Sequence, residues 1–577
     1  MRLVRLMSLS LLAAMPVAAL SAQIPTRRPA PGAATANSPR MLVANPHSFS
    51  SQDSASSVLI GQGIRGRMDK VAGGSFAILT REQMNDALKQ FGYPPDAILA
   101  STVQKQFGNA LQAKALVSST LSKDQGGRYS VTSRLAGLND DAGSVVVVPQ
   151  GASQKLDELG GAVAEALTPA VKSFNDARAC VDQSKSAPDK AAASAKKAIA
   201  TLPKNGLAHL CLGLMALDKQ SRMQQPSGKD TAEALGHLQE AVQGDPLSLK
   251  AWTTMAQIYE AQGDTAKTVE ALKQMLLVAP TNQTLREQAF KLFIKYERPD
   301  AAEQTALDGL KIDPTNSDLY DLLSNARVFK GDFAGAVDAL EQVVANDSSK
   351  ADSSFYLKIT VMASQKPDTS RLLKWASAGN KKFPDNVTLL NQLVSAYQLT
   401  GPVDSQVAVT QRLMAKDTTA VGPALAAAQA LVTANRAADA QPFLDYVTKY
   451  GDAQAKEGVS VILFNVARPL LQPPQNWPEA ATKLRQVVAT ANPAGKIYPL
   501  ANYYLGLSIL QQIPPLDAAA EKEKSCDKAK QEESMAAEAA EAFTHAPADQ
   551  AQNLGQFQKY LDGLKPRVAS MLKVYCK

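Results

Sequence analysis

The stretch at residues 251–280, AWTTMAQIYEAQGDTAKTVEALKQMLLVAP, has the pattern of two short amphipathic helices joined by a turn. From Trp252 to Tyr259 the apolar residues recur every three or four positions, which places them on one face of a helix. A Gly-Asp pair at 263–264 interrupts this pattern, and a second apolar stripe then runs towards Pro280. Because proline lacks the N–H donor that a helix needs, it ends the second helix. The stretch therefore predicts a helical hairpin.

The hairpin recurs along the chain. The residues that close successive hairpins are Pro246, Pro280, Pro314, Ser348, Pro384, Thr418 and Asp452. Every interval is 34 residues except the one between Ser348 and Pro384, which is 36. Two short antiparallel helices cannot bury their apolar stripes alone, so a repeat of this kind predicts hairpins stacked side by side.

This pattern resembles the tetratricopeptide repeat family over roughly residues 172–510. The resemblance implies nine or so units, of which the outer ones are atypical. It also implies a groove lined by exposed residues of the first helix in each hairpin, where members of the family generally bind peptides or other proteins. A protein or peptide partner is therefore expected.

Eight positions are expected to face this groove. They are Thr253, Gln257, Glu287, Lys291, Asp321, Asn325, Asn391 and Ser395. Their side chains are neutral or mixed in sign, unlike the Lys/Asn carboxylate clamp of repeats that bind acidic chaperone tails. An acidic carboxy-terminal peptide is thus not the favoured ligand. The alternative for each position is ordinary solvated surface.

Residues 41–171 have a different pattern. We expect strands at 41–44, 76–79, 113–121, 128–138 and 144–148, and helices at 53–72, 80–90, 95–111 and 153–174. The last three strands are separated by turn-rich segments and predict an antiparallel meander. This order resembles the amino-terminal domain of the periplasmic protein TolB, which implies an interaction module of the cell envelope.

The predicted fold class is a small α+β amino-terminal domain followed by an all-α tetratricopeptide-repeat solenoid with a helical carboxy-terminal cap. The domain occupies residues 41–171, the repeats 172–517 and the cap 518–577. Within the cap, four carboxylates are spaced as a solvated helix face. They are Glu532, Glu533, Glu538 and Glu541.

The first 22 residues predict a signal peptide. Arg2 and Arg5 precede an apolar run at 6–20, and small residues at positions 19, 21 and 22 offer a cleavage site. A proline-rich linker follows at 23–40, and no later run is apolar for the 18 or so residues that a membrane span needs. We expect an exported protein, periplasmic or secreted, with no membrane span after cleavage.

Composition argues against several functions. The net charge of +7 is small for 577 residues and the basic residues do not gather in one run, so no nucleic-acid partner is expected. The four histidines lack metal-ligand spacing, and the common phosphate-loop, zinc-protease and serine-hydrolase motifs are absent. We predict no catalytic residues, no metal and no cofactor, hence a non-enzymatic scaffold.

Export changes the interpretation of the four cysteines, because disulfides persist in oxidising compartments. Four cysteines allow three pairings. The simplest one joins Cys180 to Cys211 and Cys526 to Cys576. Cys180 and Cys211 are 31 residues apart, close to one repeat length, and fall on neighbouring first helices. Buried unpaired thiols are the alternative.

One motif favours a second hypothesis. Gly61, Gly63 and Gly66 have the Gly-x-Gly-x-x-Gly spacing of dinucleotide-binding loops, which would make the chain a dinucleotide-dependent enzyme or nucleotide sensor. Against this, the residues before the motif are mostly polar. The apolar positions from Ile60 to Val71 instead fit one face of a helix capped by Asp53 or Ser54 and ending at the Gly-Gly pair 73–74.

Overall fold

The computed structural model describes residues 38–48, 50–221, 228–365 and 368–576. The signal peptide predicted at 1–22 and most of the linker predicted at 23–40 lie outside these ranges. The chain forms two compact units that divide between Arg298 and Pro299. We refer to them as the amino-terminal and carboxy-terminal units.

The amino-terminal unit begins with a six-stranded sheet. Its strands are β1 Arg40–Val43, β2 His47–Ser48, β3 Ala77–Ile78, β4 Ala113–Lys123, β5 Tyr129–Gly137 and β6 Ser144–Pro149. The order is β3-β1-β4-β5-β6, with β2 also paired to β4. β1 runs parallel to β3 and β4, whereas β4, β5 and β6 form the antiparallel meander that the turn-rich segments predicted.

The helices of this domain depart from the prediction in two places. They are α1 Ser54–Ala72, α2 Arg81–Gln90, α3 Ser101–Ala110 and α4 Leu156–Ala166. The helix predicted at 95–111 begins only at Ser101, because Asp96 adopts a left-handed backbone with φ 58°. The helix predicted at 153–174 is divided at Leu167 into α4 and α5 Thr168–Gln183. The predicted boundary at 171/172 therefore lies inside α5.

One of the three motif glycines of α1, Gly63, lies where this helix crosses α4. A Cβ on Gly63 would overlap the backbone of Asp157, and one on Gly160 would overlap the carbonyl of Ile60. The two helices can approach this closely only because neither glycine has a side chain. Nothing lies within 4 Å of a Cβ on Gly66, which is exposed.

The ends of α1 agree only in part with the prediction. Gly73 terminates the helix in the left-handed conformation, with φ 53°. Asp53 stands at the N-cap, but its carboxylate makes no capping hydrogen bond. It instead accepts from Lys123 Nζ at 2.5 Å and from Tyr129 Oη at 2.8 Å, which joins the start of α1 to the meander and holds the pKa of Asp53 below its usual value.

Helical hairpins of the tetratricopeptide-repeat type follow the sheet. Their helices in this unit are α5, α6 Pro188–Thr201, α7 Gly206–Ser221, α8 Gly228–Gly244, α9 Leu249–Ala261, α10 Thr265–Val278 and α11 Gln283–Lys295. Ser248, Asp264 and Asn282 each cap the helix that follows, accepting a backbone N–H three residues on. The hairpin predicted from residues 251–280 is thus confirmed as α9 and α10.

The small domain is joined to the repeats through Asp245, which is fully buried after α8. Its Oδ2 accepts from Arg134 Nε of β5 at 2.9 Å and from the backbone N–H of Gly143 at 2.6 Å. Close by, the Ser248 hydroxyl donates to the carbonyl of Asp141 at 2.8 Å. The residues that close the first hairpins therefore also bind the sheet.

The carboxy-terminal unit is all helical in the ranges described. Its helices are α12 Pro299–Ile312, α13 Ser317–Phe329, α14 Phe333–Asn346, α15 Ser353–Gln365, α16 Thr369–Lys382, α17 Val387–Thr400, α18 Val403–Met414, α19 Val421–Thr433, α20 Gln441–Tyr450, α21 Ala453–Ala467, α22 Trp477–Thr490, α23 Ile497–Leu510, α24 Ile513–Glu523, α25 Cys526–Thr544 and α26 Ala551–Tyr575. From α13 to α18 they again form hairpins. The predicted start of the cap at residue 518 lies within α24.

Both predicted disulfides are confirmed. Cys180 on α5 and Cys211 on α7 are joined with their Cα atoms 6.3 Å apart, because first helices of successive hairpins lie side by side. Cys526 at the start of α25 is joined to Cys576 just after α26, with a Cα separation of 4.9 Å. The second bond closes the carboxy-terminal cap.

Two glycine variants test the crossing of α1 and α4. We expect Gly63→Ala to lower the stability of α1 by about 2 kcal/mol, because the added methyl group overlaps the α4 backbone. Gly66→Ala should raise it by about 0.5–1 kcal/mol, because alanine is the better helix former where space is open. Hydrogen exchange of the α1 amides measures both. Equal effects of the two substitutions would contradict this packing.

Removing the cap disulfide should loosen α26. With Cys526→Ser and Cys576→Ser combined, we expect its free energy of opening to fall by about 3 kcal/mol, because the bond closes a loop across a sequence separation of 50 residues. Hydrogen exchange of the α26 amides measures the loss. The matched control combines Cys180→Ser with Cys211→Ser and should leave α26 unchanged. Unaltered α26 protection in the first variant would refute the assigned role.

Candidate protein-binding surfaces

Four of the predicted groove residues lie on first helices of the amino-terminal unit. Thr253 on α9 is half-buried, and its hydroxyl donates to the backbone four residues earlier, whereas Gln257 is exposed. On α11, Glu287 is half-buried and accepts from the side chain of Gln283 at 3.2 Å, and Lys291 is exposed. These side chains are accessible but form no enclosed site with one another.

The other four lie on first helices of the carboxy-terminal unit. Asp321 and Asn325 on α13 are half-buried and hydrogen-bonded to each other at 3.2 Å. On α17, Asn391 is exposed, and the half-buried Ser395 donates to its carbonyl at 3.1 Å. Asp321 lines a cavity that is described below.

Another first helix, α15, lies between α13 and α17 along the chain, and the sequence interpretation assigned none of its residues to the groove. The two extra residues of the 36-residue interval lie in a 3-10 turn, Ser348–Lys350, before α15. The position equivalent to Asp321 is therefore Leu357, and Val361 follows one turn later; both are half-buried. Counting 34 residues on from Asp321 leads instead to Phe355, whose side chain is buried in the core. The 36-residue interval between Ser348 and Pro384 was the sequence signal that could have revealed this two-residue shift.

A cavity of about 360 Å³ lies between α13 and α15, and we refer to it as the α13–α15 cavity. Ion pairs cross it: Lys358 Nζ lies 2.6 Å from Asp321 Oδ1, and Lys350 binds Asp318. Phe355 supplies apolar surface to the same cavity. Opposite charges and an apolar wall occur together, which suits a polypeptide better than a highly charged ligand.

A second cavity, of about 290 Å³, lies within the amino-terminal unit and is called the α5–α7 cavity here. Its walls are α5, α7 and the loop between β5 and β6. Apolar side chains of α7, among them Leu210 and Leu214, line this cavity, and aspartates of α7 and of the β5–β6 loop line it as well. No sequence pattern pointed to it, because its walls come from segments about 40 and 70 residues apart.

The cap contains a buried carboxylate that the sequence interpretation placed in solvent. Glu532 on α25 is fully buried, and among the described residues no N–H group donates to either of its carboxylate oxygens. Burial, reinforced by Asp517 on α24, raises the pKa of Glu532 to about 7. Arg567 on α26 neutralises Asp517 at 2.8 Å and opposes this rise. The expectation of a solvated face was therefore wrong for Glu532, since α24 and α26 cover it, whereas Glu533 is exposed.

Two histidines that are far apart in sequence meet in the amino-terminal unit. Nδ1 of His209 on α7 lies 3.1 Å from Nδ1 of His237 on α8, and Nε2 of His209 lies 2.8 Å from the carbonyl oxygen of Pro203. Burial and the neighbouring ring lower the pKa of His237. Among the residues that the structure describes, no group of three or more metal-ligating side chains could hold an ion.

The glycine motif does not form a phosphate-binding loop. A dinucleotide loop needs its glycines in the turn between a strand and a helix, where backbone N–H groups remain free for phosphate. Gly61, Gly63 and Gly66 instead lie in the interior of α1, where backbone N–H groups bond to carbonyls four residues earlier. The dinucleotide hypothesis therefore loses the site on which it rested.

Comparisons with known proteins support no closer assignment than the repeats themselves. No protein-family model and no curated protein matches the sequence. Similar solved structures include the protein MamA, with 17% identity and a TM-score of 0.25 over 29% of this chain and 91% of that one. YrrB, described as a TPR protein with an unusual peptide-binding site, matches with 14% identity and a TM-score of 0.23 over 35% and 97%.

A third similar structure is the carboxy-terminal part of a TPR repeat-containing protein from Cytophaga hutchinsonii. It matches with 12% identity and a TM-score of 0.31 over 43% of this chain and 97% of that one. YrrB and the Cytophaga hutchinsonii protein are described as TPR proteins. The recognition of the repeats in this chain rests on its own 34-residue hairpins. In the described ranges, no helix combines the length and apolar composition needed to cross a membrane.

The buried Glu532 predicts a pH dependence of cap stability. Because its folded pKa of about 7 exceeds the ordinary value of 4.5, the folded cap binds this proton more tightly than the unfolded chain. The contribution of Glu532 is therefore full below about pH 4.5 and is lost as pH rises through 7, on the order of 2 kcal/mol in all. Glu532→Gln should remove this loss.

Hydrogen exchange of the α25 amides between pH 5 and pH 8, corrected for intrinsic exchange rates, measures the effect. The matched control is Glu533→Gln, which removes an exposed carboxylate from the adjacent position. Asp517, Tyr560 and Arg567 face Glu532 and stay unchanged in both variants. The same pH profile for wild type and Glu532→Gln would show that Glu532 is ionised in the folded cap.

Proposed function

We propose that this chain is a non-enzymatic, exported scaffold that binds a partner protein or peptide through the first helices of its repeats. The observation that carries the proposal is the α13–α15 cavity, where ion pairs and apolar surface lie together. A polypeptide presents peptide groups and side chains of several kinds, so it can use such a surface along its length. The predicted groove residues on α13 and α17 extend the surface on either side.

The charge distribution favours a partner segment of mixed composition. Asp318 and Asp321 are each bound to a lysine, so neither sign of charge dominates the α13–α15 cavity. Leu357 and Val361 add half-buried apolar side chains on α15. Apolar contact would supply most of the binding free energy, and the ion pairs would set orientation and exclude mismatched charges.

The location proposed is the periplasm or the extracellular space. The predicted signal peptide motivates this, and two disulfides are compatible with an oxidising compartment. The sheet domain, whose element order resembles the TolB amino-terminal domain, is proposed as an interaction module within a cell-envelope complex. In that arrangement the repeats hold one partner while the sheet domain contacts another component.

The proposal is tested by photocrosslinking in the exporting cell. A photoreactive amino acid at Leu357 should capture a discrete partner, and the same group at Gln342, exposed on the second helix α14, should not. Combining Lys358→Glu with the photoreactive group at Leu357 breaks the ion pair between Lys358 and Asp321. This change should lower the crosslinking yield at least fivefold.

The matched control is Lys374→Glu on the second helix α16. Lys374 also pairs with a carboxylate, that of Glu341, at 3.1 Å, but it lies on the other helix of its hairpin. This variant should leave the crosslink at Leu357 unchanged. Equal capture at Gln342, or equal loss in the two lysine variants, would overturn the assignment of binding to the first helices.

A further inference from the structure

The strand β6 forms an edge of the six-stranded sheet, and its outer side is open. It stands last in the strand order and, among the described residues, pairs with β5 alone. The opposite edge, β3, has only two residues. Exposed edges are commonly kept short or carry lysine, because unpaired backbone groups accept a strand of another chain. β6 has six residues, four of them valine and none charged.

The hydrogen-bond ladder shows which backbone groups of β6 point away from β5. The N–H of Gln150 donates to the carbonyl of Tyr129 at 2.8 Å. Antiparallel strands exchange hydrogen bonds at every second position, so the even-numbered residues of β6 bond to β5. The N–H and C=O groups of Val145 and Val147 therefore point outward. Within the described ranges, no protein group forms a hydrogen bond with them.

The outward donors are limited to these two residues. Pro149 has no N–H to donate, and the N–H of Gly143 is already bound to Asp245 Oδ2 at 2.6 Å. The open N–H groups of Val145 and Val147 lie two residues apart, about 6.8 Å along the strand. An extended polypeptide presents carbonyl and N–H groups at this spacing, so the array specifies a β-strand as its ligand.

The side chains of β6 are incompletely covered at this edge. Val146 and Val148 pack against the core of the sheet domain together with Leu156 of α4, yet all three are half-buried. On the other face, Val147 is 62% exposed. An added strand would bury part of each side chain. Valine, isoleucine and threonine suit such a strand, because β-branched side chains pack well against their neighbours on a pleated surface.

The size of the edge favours a segment of a partner protein over a second copy of this chain. Six residues of strand span about 20 Å, and a sheet edge is about 10 Å thick with its side chains. Such a strip is far smaller than the about 800 Å² that each folded chain buries in a stable complex. A single strand needs no more than the strip. Because β6 has no charged residue, the contacting part of that strand is expected to be uncharged.

We propose that the outer edge of β6 binds an extended, uncharged segment of a partner protein, which joins the sheet as a further strand. The segment forms hydrogen bonds with the backbone of Val145 and Val147, and every second side chain covers Val146 and Val148. Because the sheet domain is proposed above as an interaction module, binding at β6 rests on that proposed function and gives it a defined contact surface. The α13–α15 cavity, in the other unit, takes no part in it.

The first test uses the oxidised, full-length mature protein and the fluorescein-labelled peptide Gly-Ser-Thr-Val-Thr-Val-Ser-Gly, with binding followed by anisotropy. Consecutive N–H groups of a strand point to opposite edges, so only one alternate set can face β6. N-methylation of one pair, either both threonines or both valines, should weaken binding about tenfold, whereas methylation of the other pair should leave it unchanged. Equal effects of the two methylated peptides, or no binding of the parent peptide at about 1 mM, would overturn the proposal.

A proline variant of the protein locates the bound peptide. Val147→Pro removes an outward N–H that the ladder with β5 does not use, and proline is tolerated at such edge positions. We expect peptide binding to weaken about tenfold, because a hydrogen bond is lost and the proline ring obstructs the incoming strand. The matched control, Val147→Thr, keeps the N–H and the β-branch and should bind as wild type. Unchanged binding in a folded Val147→Pro variant would show that the peptide binds elsewhere.

Further measurements separate this site from the alternatives. Lys358→Glu should leave peptide binding unchanged, and Val147→Pro should leave the photocrosslink at Leu357 unchanged, so binding at the repeats and binding at β6 can fail independently. A wild-type dimer in sedimentation that Val147→Pro dissociates would show that a second copy occupies the edge, which overturns the assignment to a partner segment. Should circular dichroism show Val147→Pro to be unfolded, the methylated peptides with the wild-type protein decide.

Discussion

The apolar stripe of each hairpin is buried only by the next hairpin, and the rest of the helical structure depends on this constraint. Within the carboxy-terminal unit, Leu340, Ile359 and Leu390 are fully buried in one continuous cluster, although each belongs to a different hairpin. Small residues such as Ala376 allow the close helix approach on which this burial relies. Since packing uses the stripe, the opposite side of each first helix remains available to a partner.

The sheet domain depends on a different constraint, because the buried carboxylate of Asp245 needs hydrogen-bond donors. Asp245 is fully buried, and Arg134 together with the N–H of Gly143 compensates its carboxylate. Removing Arg134 would leave the buried Asp245 carboxylate without its charge partner, which is strongly unfavourable. The contacts of Asp245 with Arg134 and Gly143 therefore attach the sheet domain to the first repeats. The α5–α7 cavity exists because this attachment brings the β5–β6 loop over α5 and α7.

The two cavities differ in their lining. In the α13–α15 cavity, lysines and aspartates are paired across the opening. A ligand that displaces these ion pairs would have to supply charged groups of both signs in their place. The α5–α7 cavity differs from it in having a buried side of Leu207, Leu210 and Cys211.

By itself, the sequence determined the hairpins and the antiparallel meander, because these follow from local periodicity, turn residues and the repeat length. It favoured the pairing of the four cysteines that the structure contains. It also indicated that the three glycines lie within a helix. Only the tertiary structure decided that Gly63 meets α4 and that Glu532 is buried. The α5–α7 cavity likewise required the fold. Each of these features depends on contacts between segments distant in sequence, and helical or strand periodicity carries no information about which distant segment covers a given face.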